Sequence, residues 1–430
     1  MRTLSLVILL FAYPLLLFGQ DDKARSGSPY SSIASGEPVD TFSPASAGSG
    51  IFGIAVFDNF SPNSINPALW GISSYTLGNI SLGLQSVHSR DDLDSATFNQ
   101  MTIDRFQVVL PIVRSTLGVS LGFRPITRSS YSLTGTGTHQ SEPGRDPINY
   151  INTITGGGGV NSMEAGIGYR FSNNFSVGYA ASLYLASLTR EHETAFDVLD
   201  FGILRYDESM TGRALGHRFG FYGRAGELFN SNDQLAFGAT VVLPVDIETD
   251  RSVTGFRTVG GRDREVDLMP ENSSGNGTIG MPTEVMLGLN YSTGQLWDFS
   301  TEFSMQQWEN AAYSFNSGHE AYLKNRSRTA AGFRYHPYRT GSDRFFSRLK
   351  YSAGVSYDSG HLAIENQNID TIMFHGGLGL ISDRTASSID LSFQFGFRGT
   401  QQQSLVEETI WGFRLSFNLA EVMFVQRRFD

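Results

Sequence analysis

The 430-residue chain reads as all-β: a transmembrane antiparallel β-barrel of about 14 strands with an N-terminal plug. Three observations predict it. Met163, Ala165, Ile167 and Tyr169 alternate with Glu164, Gly166, Gly168 and Arg170, and after Ser172-Asn173-Asn174 the apolar side passes to Phe175, Val177, Tyr179, Ala181, Leu183 and Leu185. This is a hairpin with one apolar face and one small or polar face. Its second strand continues for about a dozen residues, the length a tilted strand needs to cross a bilayer, where soluble strands average about 5–6. The same alternation recurs along the chain, and its connections are mostly long on one side and short on the other, as in outer-membrane barrels.

Taken in order, Met1-Arg2, the apolar run Leu4 to Phe18 and Phe18-Gly19-Gln20 before Asp21-Asp22 read as a secretory signal peptide over residues 1–20. No later segment reaches the roughly 20 continuous apolar residues of a transmembrane helix. Residues 21–73 are rich in Ser, Gly, Pro and Ala, but they carry too many apolar side chains (Ile51, Phe52, Ile54, Val56, Phe57, Phe60) for a linker. This segment is expected to pack against something, as a plug. Residues 74–419 then supply the barrel, and 420–430 a periplasmic tail.

Strict alternation marks Leu117 to Phe123, Leu235 to Leu243, Val285 to Tyr291, Trp297 to Met305, Leu349 to Tyr357, Ile389 to Phe397 and Trp411 to Phe417. Weaker runs lie near 75–88, 98–110, 210–223, 326–337 and 370–381. Outer turns are expected near 91–97, 137–160, 191–209, 251–279, 311–325, 359–369 and 399–406. Inner turns are expected at Pro111 to Ser115, Ser172 to Asn174, Ala225 to Asn232, Ser292 to Gln295, Pro337 to Phe345 and Ser382 to Ala386.

Composition narrows the function. A net charge of −10 spread along the chain argues against nucleic acid, which calls for a concentrated basic patch. The absence of cysteine excludes a lipoprotein anchor, a disulfide framework and thiolate metal sites. Forty-seven glycines and 12% aromatics suit a curved wall with interfacial girdles. No catalytic, metal or cofactor site is expected. Gly118-Val119-Ser120-Leu121-Gly122 matches a nucleophile elbow, but its alternation runs unbroken where that motif demands a strained turn. Gly156 to Gly159 lacks the Lys and Ser/Thr of a phosphate loop and reads as a flexible outer loop; Arg190-Glu191-His192-Glu193 reads as a solvated strand end. Asp91-Asp92-Leu93-Asp94 has oxygen ligands of the kind calcium takes, and a hydrated loop is the simpler reading. The lumen-side charges Arg124, Glu164, Arg170, Glu284, Asp298, Glu302, Arg334, Asp390 and Arg414 are candidates for solute selection or, more simply, for pairing with each other or with a plug. Pro125, inside the long third strand, must remove one ladder hydrogen bond. It marks either a bulge near the outer rim or a kink, starting near Gly122, that opens the wall sideways.

Ser28-Pro29-Tyr30-Ser31, the run Gly48 to Ala55 leading to Asn66-Pro67-Ala68, the run Gly280 to Tyr291 followed by Trp297 and Trp308, and the end from Arg398-Gly399-Thr400 to Phe429 resemble the FadL-type family of outer-membrane hydrophobic-compound transporters. The form is the divergent one of Bacteroidetes-like bacteria. The resemblance implies an outer-membrane barrel of fourteen strands plugged by an N-terminal hatch, with Asn66, Pro67, Ala68, Phe57 and Phe60 in the hatch. It implies passive uptake of a hydrophobic small molecule, with lateral exit at a kinked third strand, matched here by position at Gly122 and Pro125. The implied surroundings are outer-membrane lipid and lipopolysaccharide and the barrel-assembly machinery, for a monomer. Departures are a longer N-terminus, a basic tail after the last strand, and no lumen residue assignable to a ligand pocket. The alternative is a non-transporting partner barrel of a protein secretion system, type nine-like. Large ordered outer loops favour the alternative, and a lumen niche lined by Phe, Leu and Met favours transport. A hydrolase would require a Ser with a lumen His and an acid.

Overall fold

Alternation along each strand, with the apolar side turned to lipid, produces the architecture. The computed structural model describes residues 27–421 apart from 93, 141–146, 198–201, 260–261, 267–274, 295, 316–318, 338–344, 383–386 and 402–404. The expected signal peptide, residues 21–26 of the plug and residues 422–430 of the tail lie outside the described residues.

A short plug strand, β1 (Glu37–Pro38), comes first, followed by β2 (Thr76–Arg90), β3 (Ser95–Val113), β4 (Leu117–His139), β5 (Ile148–Arg170), β6 (Phe175–Phe196), β7 (Ile203–Gly226) and β8 (Gln234–Val242). An outer excursion forms β9 (Val245–Val259), β10 (Arg262–Val266) and β11 (Asn276–Met281). The wall resumes with β12 (Glu284–Thr293), β13 (Trp297–Gln306), β14 (Arg326–Tyr335) and β15 (Leu349–Asp358). After the small hairpin β16 (Ala363–Ile364) and β17 (Gln367–Asn368) come β18 (Thr371–Ile381), β19 (Ser388–Gly399) and β20 (Glu407–Glu421). The barrel strands are β2–β8, β12–β15 and β18–β20, each antiparallel to its neighbours, and β20 closes on β2 from Thr76↔Glu421 to Arg90↔Glu407.

Outward residues such as Leu84, Ile167, Phe299, Phe374 and Phe413 are exposed as a belt for lipid. At the short-turn end, rings of adjacent strands touch: Phe221 and Phe237 lie 6.2 Å apart, and Trp297 and Tyr335 4.5 Å apart. These form the aromatic girdle expected of an outer-membrane barrel.

The wall is uneven. β12–β15 have 10 residues each, whereas β4, β5, β6 and β7 have 23, 23, 22 and 24. The surplus of about a dozen residues, at ~3.3 Å each, lifts one side of the barrel well above the lipid. Above the membrane β7 exchanges its partner β8 for β9, from Ile203↔Thr258 to Gly212↔Thr249. The stretches 137–160, 191–209 and 251–279, expected as outer turns, are therefore largely strand. Neither face of this raised wall meets lipid, so the sequence there lacks strong alternation. Gly156 to Gly159, expected as a flexible loop, lies within β5, where Gly158 (φ 105°) and Gly159 (φ 141°) bend the strand in a conformation that side chains disfavour. Arg190, expected on a solvated strand end, points inward and is buried, because the outer loops pack over that face.

Candidate functional site

Residues 27–73 run down the lumen as largely irregular chain with 3₁₀ turns at Pro29–Ser32, Pro44–Ser49 and Pro67–Gly71, from the outer mouth, where Tyr30 and Ala34 join the outer loops, to the Pro67–Gly71 turn. Such a segment must find partners for its backbone polar groups, and the barrel provides them. Asn66 is fully buried; its Oδ1 accepts from Ala68 N at 3.0 Å, and its Nδ2 donates to Ile54 O and to Phe221 O of β7, each at 2.9 Å. It caps the Pro67–Gly71 turn and fastens it to the wall. Close approach there needs glycine: a Cβ on Gly178 would lie 2.2 Å from Pro67 C, and one on Gly220 2.3 Å from Asn66 Oδ1. Ala68 is buried against this patch. Phe57 packs half-buried beside Ala68 and Leu69, and the Phe60 ring lies 4.9 Å from Lys350 Nζ.

Most of the lumen charges pair internally, whereas Arg124 Nε is buried without a hydrogen-bond partner among the described residues. Glu302 of β13 accepts from three successive plug amides, Phe52, Gly53 and Ile54. Glu164 pairs with Arg218, Asp298 with Arg334 at 2.7 Å, and Arg414 with Asp104 at 2.6 Å. Glu284 accepts from Gln306 Nε2 at 2.6 Å, and Asp390 from Asn418 Nδ2 at 2.6 Å. Asp58 in the plug binds Lys350 at 3.0 Å; burial opposes its ionisation, but Lys350, Arg334 and the Phe60 amide outweigh burial and hold the carboxyl down to about 2. Ser120 accepts from Gln107 Nε2 at 3.0 Å and lies on unbroken strand.

Several structuring residues escaped the sequence reading. Arg326 joins Asp40 of the plug at 2.7 Å to Asp358 of β15, and Arg398 joins Glu37 of β1 at 2.9 Å to the buried Glu408. Arg328 lies over the Phe42 and Phe52 rings at 5.2 and 4.5 Å. Their lumen-facing parity on β14 and β19 was readable; their partners were not. A cavity of about 200 Å³ remains between the plug, β2–β4, β14, β15 and β18–β20, lined by charged side chains, among them Asp40, Asp104, Arg128, Arg398 and Arg414, together with Phe42, Phe98 and Met373. The outer mouth is filled by one apolar cluster that includes Tyr184, Leu188, Ile247, Ile279, Trp308, Tyr313 and Leu362.

The third strand departs from a regular wall. β3 and β4 pair only from Phe106↔Phe123 to Val113↔Leu117. Gly122 lies within that paired part, opposite Gln107. Just above, the β4–β5 register shifts between Pro125 and Thr127, and the β2–β3 register skips Asp104, so both strands bulge beside the seam. The Gly158–Gly159 bend of β5 lies opposite Ser129 and Arg128, at nearly the same height. Beyond the bulge, β4 takes β1 as its neighbour, through Glu37↔Arg128 and Pro38↔Thr127.

A fourteen-stranded antiparallel barrel, closed on itself and stoppered by its own N-terminal segment, has the fold of FadL-like barrels. Residues 1–430 match the BamG family model, and the chain belongs to the BamG family. Among solved structures it is similar to a Pseudomonas aeruginosa FadL homologue at 12% identity and TM-score 0.59, covering 90% of this chain and 100% of that one. It is likewise similar to the CymD monoaromatic hydrocarbon channel, at 13% and 0.55 over 89% and 98%, and to the Ralstonia pickettii toluene transporter TbuX, at 13% and 0.53 over 88% and 98%. At these identities the likeness is one of fold. No curated protein matches the sequence.

Proposed function

We infer that this chain is an accessory barrel of the machinery that assembles outer-membrane proteins, acting as a partner rather than as an open conduit. The observation that carries this reading is a lumen occupied by the chain itself: among the described residues the plug and the apolar cluster leave between them a cavity of only about 200 Å³, where charges such as Asp40, Arg128 and Arg414 share the wall with Phe42, Phe98 and Met373. Ligand sites for hydrophobic molecules are mostly apolar and several hundred Å³ or larger. The raised wall of β4–β7 and β9–β11 provides an ordered outer platform, and the family's name points to barrel assembly. In this reading residues 1–20 direct export, Asn66, Pro67, Ala68, Phe57 and Phe60 hold the plug shut, and one copy works beside a partner barrel. The test is affinity purification of the full chain from native outer membranes, combined with its depletion. Recovery of the assembly machinery and a fall in folded outer-membrane barrels are expected. A chain recovered alone, whose depletion impairs only growth on hydrophobic compounds, would overturn the reading.

The seam between β3 and β4 favours a second reading, uptake of a hydrophobic solute with lateral exit, in which Gly122 and Pro125 begin the opening. The similar channels, one for monoaromatic hydrocarbons and one for toluene, supply its substrate class. Pro125→Ala combined with deletion of Ile126 removes the bulge and lets β4 continue beside β3. This reading expects uptake of a radiolabelled monoaromatic compound to fall in that variant; unchanged uptake sinks it.

A further inference from the structure

The two edges of the seam are treated differently. From Ile126 to Ser130 the free edge of β4 is clothed by the plug: Val39 N donates to Ile126 O at 2.8 Å, Thr127 Oγ1 to Ser35 O at 2.9 Å, and Ser31 Oγ to Ser130 O at 2.7 Å. Among the described residues the backbone of the facing edge of β3 has no such cover; only the Arg105 side chain reaches the plug, at Phe42 O. Its residues Ala96 to Ile103 and Arg105 pair with β2, and among the described residues no backbone hydrogen bond joins the stretch to β4 or to the plug. Part of this edge lies at the lipid belt, since Met101 and Ile103 face outward at 67% and 40% exposure beside Leu84 of β2. Lipid cannot hydrogen-bond the open N–H and C=O groups there. An uncovered strand edge is also the usual template for adding another strand.

We propose that the open edge of β3, Ala96 to Arg105, is a docking site for one extended β-strand from a partner outer-membrane barrel; this rests on the accessory-barrel reading above. The incoming strand continues the wall: its apolar residues extend the lipid belt beside Met101 and Ile103, and its polar residues face the cavity beside Thr102 and Asp104. The chain already adds a strand to the opposite edge, β1 on β4, so the seam has precedent for main-chain pairing. Main-chain bonds supply the affinity, and the apolar-out, polar-in alternation supplies the selection.

The test places a photoreactive benzoylphenylalanine singly at Thr97, Asn99, Met101 and Ile103 of the full chain in native outer membranes. Leu84 and Phe413 on the closed β2–β20 seam are controls, and heat-modifiable migration reports folding. A probe that prevents folding is moved to the next residue. The expected result is protein adducts at the β3 positions only, with the crosslinked peptides falling on alternate residues of one strand in one barrel protein. Adducts to lipid alone, to residues 1–26 of this chain, or to peptides scattered over many proteins overturn the proposal. If the untouched chain still purifies with the assembly machinery while β3 forms no protein adduct, the docking edge is wrong and the accessory reading stands; if both fail, both fall.

Discussion

The backbone N–H of Ile54 donates to Glu302 Oε1 at 2.6 Å, and the same oxygen takes the Gly53 N–H at 2.9 Å. One β13 carboxylate thereby holds three successive plug amides, counting that of Phe52 on its other oxygen. Removing it leaves several buried donors without an acceptor, at roughly 1–3 kcal/mol for each. Glu302→Ala is expected to loosen the plug while the barrel remains folded, and Glu302→Gln to do so less, because one acceptor oxygen remains. Hydrogen exchange at residues 50–56 checks this: faster exchange there with unchanged barrel strands is the expected pattern.

The glycine patch beneath the Pro67–Gly71 turn makes a sharper distinction between plug and wall. A side chain at Gly178 must displace Pro67, whereas a Cβ on Gly135 meets nothing within 4 Å. Gly178→Leu is expected to undock the plug and produce ion conductance in planar bilayers. Gly135→Ala should remain as closed as the parent chain, and equal conductance from the two variants would refute the role of close approach.

Arg398 bridges Glu37 of β1 and Glu408 of β20. Because Glu408 is fully buried, Arg398→Met strands a charge, and breaking such a pair costs about 3–5 kcal/mol. The expected readout is a lowered temperature for the heat-modifiable transition. Adding Glu408→Gln should recover part of that loss, and a purely additive double variant would show that the pair is not coupled.

Acid is expected to loosen the outer mouth. His361 lies in the loop after β15, packed near Trp308, and burial pushes its imidazole down to about 3, with Arg326 adding to the effect. The unfolded loop takes up a proton near 6.5 while the folded one does not, so protons favour opening. Stability is therefore full above pH 6.5 and falls as pH drops from there toward 3. Protease cleavage within 359–370 should rise between pH 7.5 and pH 5, and His361→Phe should flatten that dependence.

The outward face was legible because lipid imposes one simple rule. Ile167, Phe299 and Phe413 repeat with period two wherever strand meets bilayer, and the fourteen strands follow from that pattern; the expected inner turns at Pro337 to Phe345 and Ser382 to Ala386 lie largely outside the described residues. Above the membrane the rule lapses. β5 between Ile148 and Gly159 has water, plug or loop on its faces, so its strand character was hidden among Asn, Thr and Gly.

Pro125 marked the third strand as unusual, but the matching skip at Asp104 and the bend at Gly158 and Gly159 became visible only when three strands were laid side by side. The sequence by itself determined the class, a barrel with an apolar belt and an internal N-terminal segment, because those features are local and periodic. Tertiary structure alone decided what the lumen charges do. Glu302 meets Phe52 across 250 positions of sequence, Arg326 meets Asp40 across 286, and Tyr30 meets Val406 across 376. Such pairings depend on barrel closure and on the path of the plug, which no local pattern encodes, and it is they that fill the lumen and leave the edge of β3 open.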